Sequence, residues 1–163
     1  MKNSEGKVMK AQADSISPKN TANFLLIECR ERGDVLTNLK LQKLLYYAQA
    51  WYLAIHNKPL FKEDFQAWVH GPALPSQYKR FKRFEWRPIL EEDIAKPVLK
   101  DALIADHLLE IVNVFGIETA SSLELMTHNE KPWQEARNGI PNDQPSTSII
   151  SKESMRLFYQ SRK

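Results

Sequence analysis

The sequence predicts a mainly α-helical protein that folds as a single compact domain of about six helices around one long central helix. A short extended or β segment is expected near residues 61–70. The 163 residues fit one ordinary domain, because a single hydrophobic core serves roughly 100 to 200 residues. Hydrophobic residues make up 42% and charged residues 26% of the chain, a balance typical of a soluble globular domain. Most of the apolar residues recur at helical spacing.

The folded domain is expected to occupy residues 16–163. Residues 1–15 are polar and lack apolar periodicity, so we expect them to form a flexible leader. Ser17 followed by Pro18 is a favourable start for a first helix, which Gly33 can end.

The central helix is predicted to begin at Thr37 or Asn38, either of which is a good N-cap residue. Its apolar residues fall at i, i+3, i+4, i+7, i+11 and i+14. They are Leu41, Leu44, Leu45, Ala48, Tyr52 and Ile55. Tyr47 and Trp51 form a second i, i+4 pair on the neighbouring face. The helix is therefore predicted to be buried on more than one side.

The remaining elements are shorter. Loose alternation of apolar and polar residues over 61–70 indicates a strand or extended arm, which Gly71 and Pro72 are expected to end. Pro75 is expected to open a basic aromatic helix that ends near Trp86. Four further helices are predicted, from the Asp101 cap to Gly116, over 119–126, over 132–137 and after the Ser151 cap.

No catalytic, metal or cofactor site is expected. The single cysteine, Cys29, excludes an internal disulfide framework and a cysteine-based metal cluster within one chain. The four histidines lack the spacing of metal ligands. The five glycines are isolated, whereas a phosphate-binding loop needs clustered glycines. We therefore expect a protein that is not an enzyme and that binds no cofactor.

Membrane and secretory classes are also disfavoured. No uncharged stretch reaches the roughly 20 apolar residues of a membrane span, and the first residues contain no apolar core of a secretory signal. A cytoplasmic protein without membrane contact is expected.

A local cluster of positive charge is more informative than the net charge of +3. Five cations and several aromatic residues alternate over residues 78–87. Three interpretations stay open: the solvated outer face of a helix, a contact for an acidic protein, or a contact for a phosphate backbone. Of the two partners, we favour the protein.

Three blocks of the sequence resemble the Panacea antitoxin domain family, also known as phage-associated or genetic-element proteins. They are LQKLLYYAQAWYLAIHNKPLF from Leu41, FQAWVHGPALPSQYKRFK from Phe65 and THNEKPWQEAR from Thr127. The W-V-H-G-P turn and the T-H-x-x-x-P-W segment are the most distinctive, and the resemblance covers about residues 21–159. We expect this chain to contain no helix-turn-helix extension of the kind that some relatives have. The residues of these blocks expected to hold the fold are Leu41, Leu44, Leu45, Tyr47, Trp51, Gly71, Pro72, Thr127, His128, Pro132 and Trp133.

The resemblance implies an antitoxin that neutralises a cognate protein toxin by direct contact. The toxin gene would be adjacent, often on a prophage or another mobile genetic element. Because toxins of this family are diverse, we expect the shared blocks to hold the fold and variable faces to select the partner. The residues expected to bind the toxin are Trp68, His70, Tyr78, Lys79, Arg80, Lys82 and Arg83. The cations among them are expected to project from a helix surface and to speed capture.

Two alternatives to direct neutralisation remain. The resemblance also allows a proteolytic adaptor that delivers the toxin to a bacterial ATP-dependent protease. A DNA-binding repressor is less favoured, because the sequence contains no recognition helix, and a nucleic-acid partner is therefore unlikely on these grounds.

Overall fold

The computed structural model of the protein describes residues 15–163. The predicted leader lies outside the described residues, apart from Ser15. Seven α-helices and one β-hairpin form the described part as a single domain. In chain order they are α1 (Pro18–Glu31), α2 (Asn38–His56), β1 (Gln66–Trp68), β2 (Gly71–Ala73), α3 (Pro75–Phe81), α4 (Ala102–Phe115), α5 (Ala120–His128), α6 (Lys131–Arg137) and α7 (Lys152–Gln160), with a 3₁₀ turn at Lys82–Phe84 after α3.

Helix α2 is the predicted central helix, and its burial exceeds the prediction. Of its 19 residues, 15 are buried, and it contacts α1, α3, α4, α5, α7 and β2. The predicted stripe is fully buried from Leu41 to Ala48, whereas Ile55 near its end is 46% exposed. The buried residues include Gln42, Lys43 and Gln49, so polar groups lie within the core around this helix.

N-cap side chains set the helix starts. Ser17 accepts a hydrogen bond from the backbone N–H of Asn20, and Thr37 accepts one from that of Lys40. Asp101 caps α4 and Ser151 caps α7 in the same way. Such side chains satisfy N–H groups that have no partner within the helix. The predicted starts of these four helices are confirmed.

The expected single strand near residues 61–70 is one half of a hairpin. Gly71 and Pro72 were expected to end the extended segment, but Gly71 adopts a φ of +102° and begins β2. Strand β2 pairs antiparallel with β1, with Ala67 opposite Pro72. On the other edge of β1, the Ala67 N–H donates to the Ser148 carbonyl at 2.8 Å. A two-stranded hairpin tolerates this proline, because the N–H that it lacks is not needed between the strands.

The basic helix is shorter than the predicted 75–86. Helix α3 ends at Phe81, and after the 3₁₀ turn Glu85 has a φ of +57°. The chain then runs beside the segment that precedes α2, where the Ile89 N–H donates to the Leu36 carbonyl at 2.8 Å. Trp86 consequently lies outside any helix and is 80% exposed.

Polar side chains of α2 bind backbone groups of the hairpin and of the chain segments on either side of it. Gln49 donates to the Phe61 carbonyl at 2.8 Å and accepts from the Leu60 N–H at 2.7 Å. Further bonds of this kind join Gln42 to the Leu74 N–H at 2.8 Å, Lys43 to the Pro72 carbonyl at 3.0 Å and Asn38 to the Tyr78 carbonyl at 3.1 Å. Buried backbone groups without such partners would destabilise the fold.

We expect Gln49→Leu to lower the free energy of unfolding by about 2 to 4 kcal/mol, because it leaves a buried N–H and a buried carbonyl unpaired. Gln134→Leu is the matched control, since exposed Gln134 makes a single bond to the His128 carbonyl. Urea denaturation of both variants measures the difference. Equal losses would show that the two Gln49 bonds contribute little.

Candidate functional site

A cleft of about 370 Å³ opens between the first turns of α2, the hairpin and the segment after the 3₁₀ turn. We call it the hairpin cleft. The charged and aromatic residues that line it include Lys43, Trp68, His70, Tyr78, Trp86 and Glu124. The cleft therefore brings together three of the residues that were expected to bind the toxin.

Aromatic side chains form much of the wall. The Trp68 ring packs edge-on against Tyr78, with ring centroids 4.8 Å apart, and the Trp68 indole N–H donates to Gln66 Oε1 at 2.7 Å. Trp86 makes no ring contact with another aromatic side chain of residues 15–163 and is 80% exposed. Tryptophan is among the residue types that contribute most to protein interfaces, so this side chain is the clearest contact candidate. The sequence analysis predicted a helix that ends near Trp86 and did not include this residue among the expected contacts, whereas the helix ends at Phe81.

Lys43 is a buried cation beside the cleft that sequence reasoning missed. Its side chain is almost fully buried, and Nζ donates to the Pro72 carbonyl at 3.0 Å. Burial lowers the pKa of Lys43 to about 7, and the negative charge of Glu124 acts in the opposite direction. The sequence signal was a lysine within a helix whose apolar residues occupy more than one face.

The two most distinctive motifs form one structural unit. The His128 ring stacks on Trp133 with centroids 4.1 Å apart, and the Trp133 indole donates to the Trp68 carbonyl at 2.8 Å. His70 Nδ1 lies 3.1 Å from Glu124 Oε2, although the His70 side chain is 71% exposed. Burial lowers the pKa of His128.

The residues expected to hold the fold are mostly buried. Trp51 and His128 are half-buried, and the buried ones are Leu41, Leu44, Leu45, Tyr47, Gly71, Pro72, Thr127, Pro132 and Trp133.

The four basic residues of α3 and of the 3₁₀ turn that follows it are not equivalent. Lys79 and Lys82 are exposed and form none of the ion pairs found within residues 15–163. Arg80 instead donates to Asn23 Oδ1 and to Gln77 Oε1, both at 2.8 Å, and so joins α3 to α1. Arg83 pairs with Glu91. The expectation that all four cations project freely is wrong for Arg80, because its guanidinium is part of the packing between two helices.

The described residues contain neither a membrane span nor a metal site. None of the helices in residues 15–163 has the length and apolar content needed to span a membrane. In the same residues no group of three or more His, Cys, Asp or Glu side chains is arranged to hold a metal ion.

Known proteins match the part of the chain that contains the cleft. The profile of a family described as "Antitoxin SocA-like, Panacea domain" matches residues 41–134. The curated protein Antitoxin SocA of Caulobacter vibrioides is 29% identical over 136 residues, which cover 77% of this chain and 72% of that protein. No solved structure matches the chain. The matched residues run from α2 to α6 and include both distinctive motifs.

We expect Gly71→Ala to destabilise the protein by about 2 kcal/mol more than Gly33→Ala. Both glycines have a positive φ, +102° and +90°, so both substitutions carry a similar backbone strain. A Cβ at Gly71 would lie 2.6 Å from Lys43 Cε and 2.8 Å from Thr127 Oγ1, whereas one at Gly33 meets nothing within 4 Å. Thermal or urea denaturation compares the two. Similar losses would mean that the structure relaxes around Gly71 without cost.

Lys43 should make stability depend on pH. Its pKa falls from an ordinary 10.5 to about 7 in the folded protein, so the unfolded chain binds more protons between these values. The free energy of unfolding of the wild type, relative to Lys43→Met, should therefore rise with pH from 7 to 10, by at most about 1.4 kcal/mol per pH unit.

Urea denaturation at pH 7, 8, 9 and 10 provides the measurement. Lys58→Met is the control, because Lys58 is exposed and its replacement should leave the pH profile unchanged. Parallel profiles for the wild type and Lys43→Met would contradict the lowered pKa.

Proposed function

The chain belongs to the SocA-like antitoxin family with a Panacea domain, and from this premise we propose that it neutralises a cognate protein toxin by binding it directly. The toxin is proposed to be the product of an adjacent gene. The hairpin cleft is the proposed contact, and the observation that carries the proposal is the 80% exposed Trp86 at its edge.

The chemistry of the cleft favours a protein partner with acidic residues. Exposed Lys79 and Lys82 lie one and four residues after Tyr78, whose side chain lines the cleft together with Trp68 and Trp86. A binding surface typically has an apolar, aromatic centre and a polar rim. Unpaired cations at the rim speed association with a partner of opposite charge. The toxin is therefore proposed to place an apolar side chain against Trp86 and carboxylates against the two lysines.

The walls of the cleft are held in place before any partner arrives. Lys43 and Gln42 of α2 bind the hairpin and the residue that follows it, and Trp133 of α6 binds the Trp68 carbonyl. Binding then requires little ordering of the antitoxin, which preserves affinity.

Co-expression tests the function itself. The adjacent gene is induced alone and together with this chain, growth is scored, and the two proteins are purified together. Toxicity alone, growth together and an intact complex support direct neutralisation. Growth together with loss of the toxin would instead indicate a proteolytic adaptor, and a harmless neighbour that does not bind would refute the proposal.

Charge reversal tests the contact. We expect Lys79→Glu combined with Lys82→Glu to weaken toxin binding by about tenfold or more, mainly through slower association at low salt. Trp86→Ala should weaken binding by a similar factor, mainly through faster dissociation. Surface plasmon resonance at several salt concentrations separates the two effects.

The control is Lys58→Glu combined with Lys62→Glu. Both lysines are exposed and follow the opposite end of α2, so the same charge change there should leave binding close to that of the wild type. Unaltered binding by the Lys79 and Lys82 variant and by Trp86→Ala, with thermal stability unchanged, would reject the hairpin cleft as the contact.

A further inference from the structure

A second cavity, of about 450 Å³, lies one to two turns further along α2 than Lys43. We call it the aromatic cavity. Its lining includes five aromatic side chains from three helices and the carboxylate of Glu130. The aromatic residues are Tyr47 and Trp51 of α2, Phe115 of α4, and Phe158 and Tyr159 of α7. This composition is unlike that of the hairpin cleft, where the buried charge is a lysine.

Only one carboxylate oxygen of Glu130 accepts hydrogen bonds from the described residues. Its Oε1 accepts hydrogen bonds from the hydroxyl groups of Tyr47 and Tyr159, both at 2.7 Å. Its Oε2 receives no hydrogen bond, and the carboxylate forms no ion pair, within residues 15–163. Burial raises the pKa of Glu130, and the two phenolic donors act in the opposite direction. A carboxylate in this setting is short of one positive partner.

The rings supply the second half of a cation site. Cations are attracted to the faces of aromatic rings, and most strongly where both partners are shielded from water. The protein already shows this contact, because the Arg162 guanidinium lies 4.7 Å from the centroid of the Phe158 ring. Arg162 lines the cavity and its charge acts on Glu130, yet it forms no ion pair with that carboxylate among the described residues.

We propose that the aromatic cavity binds an arginine side chain of a partner protein, with Glu130 as its counter-ion. A guanidinium suits the site because it is planar, stacks on aromatic rings and donates to a carboxylate at the same time. Arg162 would move aside when the arginine of the partner enters. This site is separate from the hairpin cleft and has the opposite charge preference, so a partner that uses both is bound in one orientation only.

A small probe tests the site without the toxin. Nα-acetyl-arginine-methylamide is titrated into the full chain, and the indole N–H signal of Trp51 is followed by NMR after assignment with Trp51→Phe. The wild type should show saturable binding. The uncharged analogue Nα-acetyl-citrulline-methylamide should bind at least about tenfold more weakly, because it cannot pair with a carboxylate.

Three variants locate the binding. Glu130→Gln should weaken binding of the arginine probe by about tenfold or more, while its amide oxygen still accepts from both phenols and keeps the fold. Glu92→Gln removes an exposed carboxylate and should leave binding unchanged. Arg162→Ala removes the internal competitor and should strengthen binding several-fold.

A further variant covers the case in which Glu130→Gln fails to fold. Phe158→Leu keeps an apolar side chain at a half-buried position but removes the ring, and it should also weaken binding of the arginine probe. Equal binding of the two probes, or wild-type affinity in Glu130→Gln, would overturn the proposal. If the Arg162→Ala variant bound the arginine probe and the wild type did not, Arg162 would be the residue that occupies the cavity. That result would also overturn the proposal that the cavity binds an arginine of a partner.

Discussion

The fold depends on one helix that is buried on nearly every side. Helix α2 cannot direct its polar side chains to water, so each must find a partner among the chain segments that cover it. Much of the chain that covers α2 is irregular, and some of its backbone N–H and carbonyl groups form no bond within a helix or sheet. Gln42, Lys43 and Gln49 bind such backbone groups in residues 60–74, so the side chains and the backbone groups satisfy one another.

The same principle extends to the other elements around α2. Lys40 donates to the Gly116 carbonyl and to Asp34, both at 2.7 Å, which connects the ends of α1 and α4. His107 of α4 lies 2.8 Å from the Ala48 carbonyl. Arg137 of α6 is buried and donates to the Ala67 carbonyl at 2.9 Å. Buried polar bonds, and not apolar contact alone, thus fix how the hairpin and helices are arranged around the centre.

The sequence allowed much of this architecture to be predicted where the controlling interactions are local. Ser17, Thr37 and Asp101 mark helix starts because an N-cap bonds to residues two or three positions ahead. Strand β2 was missed because Gly71 and Pro72 were interpreted as a break, although Pro72 lies where no N–H is needed between the strands. The early end of α3 was missed because the chain after it pairs with Leu36, which is distant in the sequence. The members of each site lie on several separate elements. The period of the apolar residues predicts which face of a helix is buried, but not which other helix that face contacts. The two sites could therefore not be assembled from the sequence. Polar residues at apolar positions of α2 were the available signal for Lys43.

The pairing of the hairpin also determines how much of its strand edges is free to pair with another chain. An exposed strand edge can recruit a strand from another chain. On the outer edge of β2, Pro72 has no N–H to donate and its carbonyl is taken by Lys43, while the outer edge of β1 is covered at Ala67 by Ser148. Both edges are therefore closed to strand addition at their central residues. The exposed indole of Trp86 therefore lies near a hairpin that offers little template for pairing with a strand of another chain.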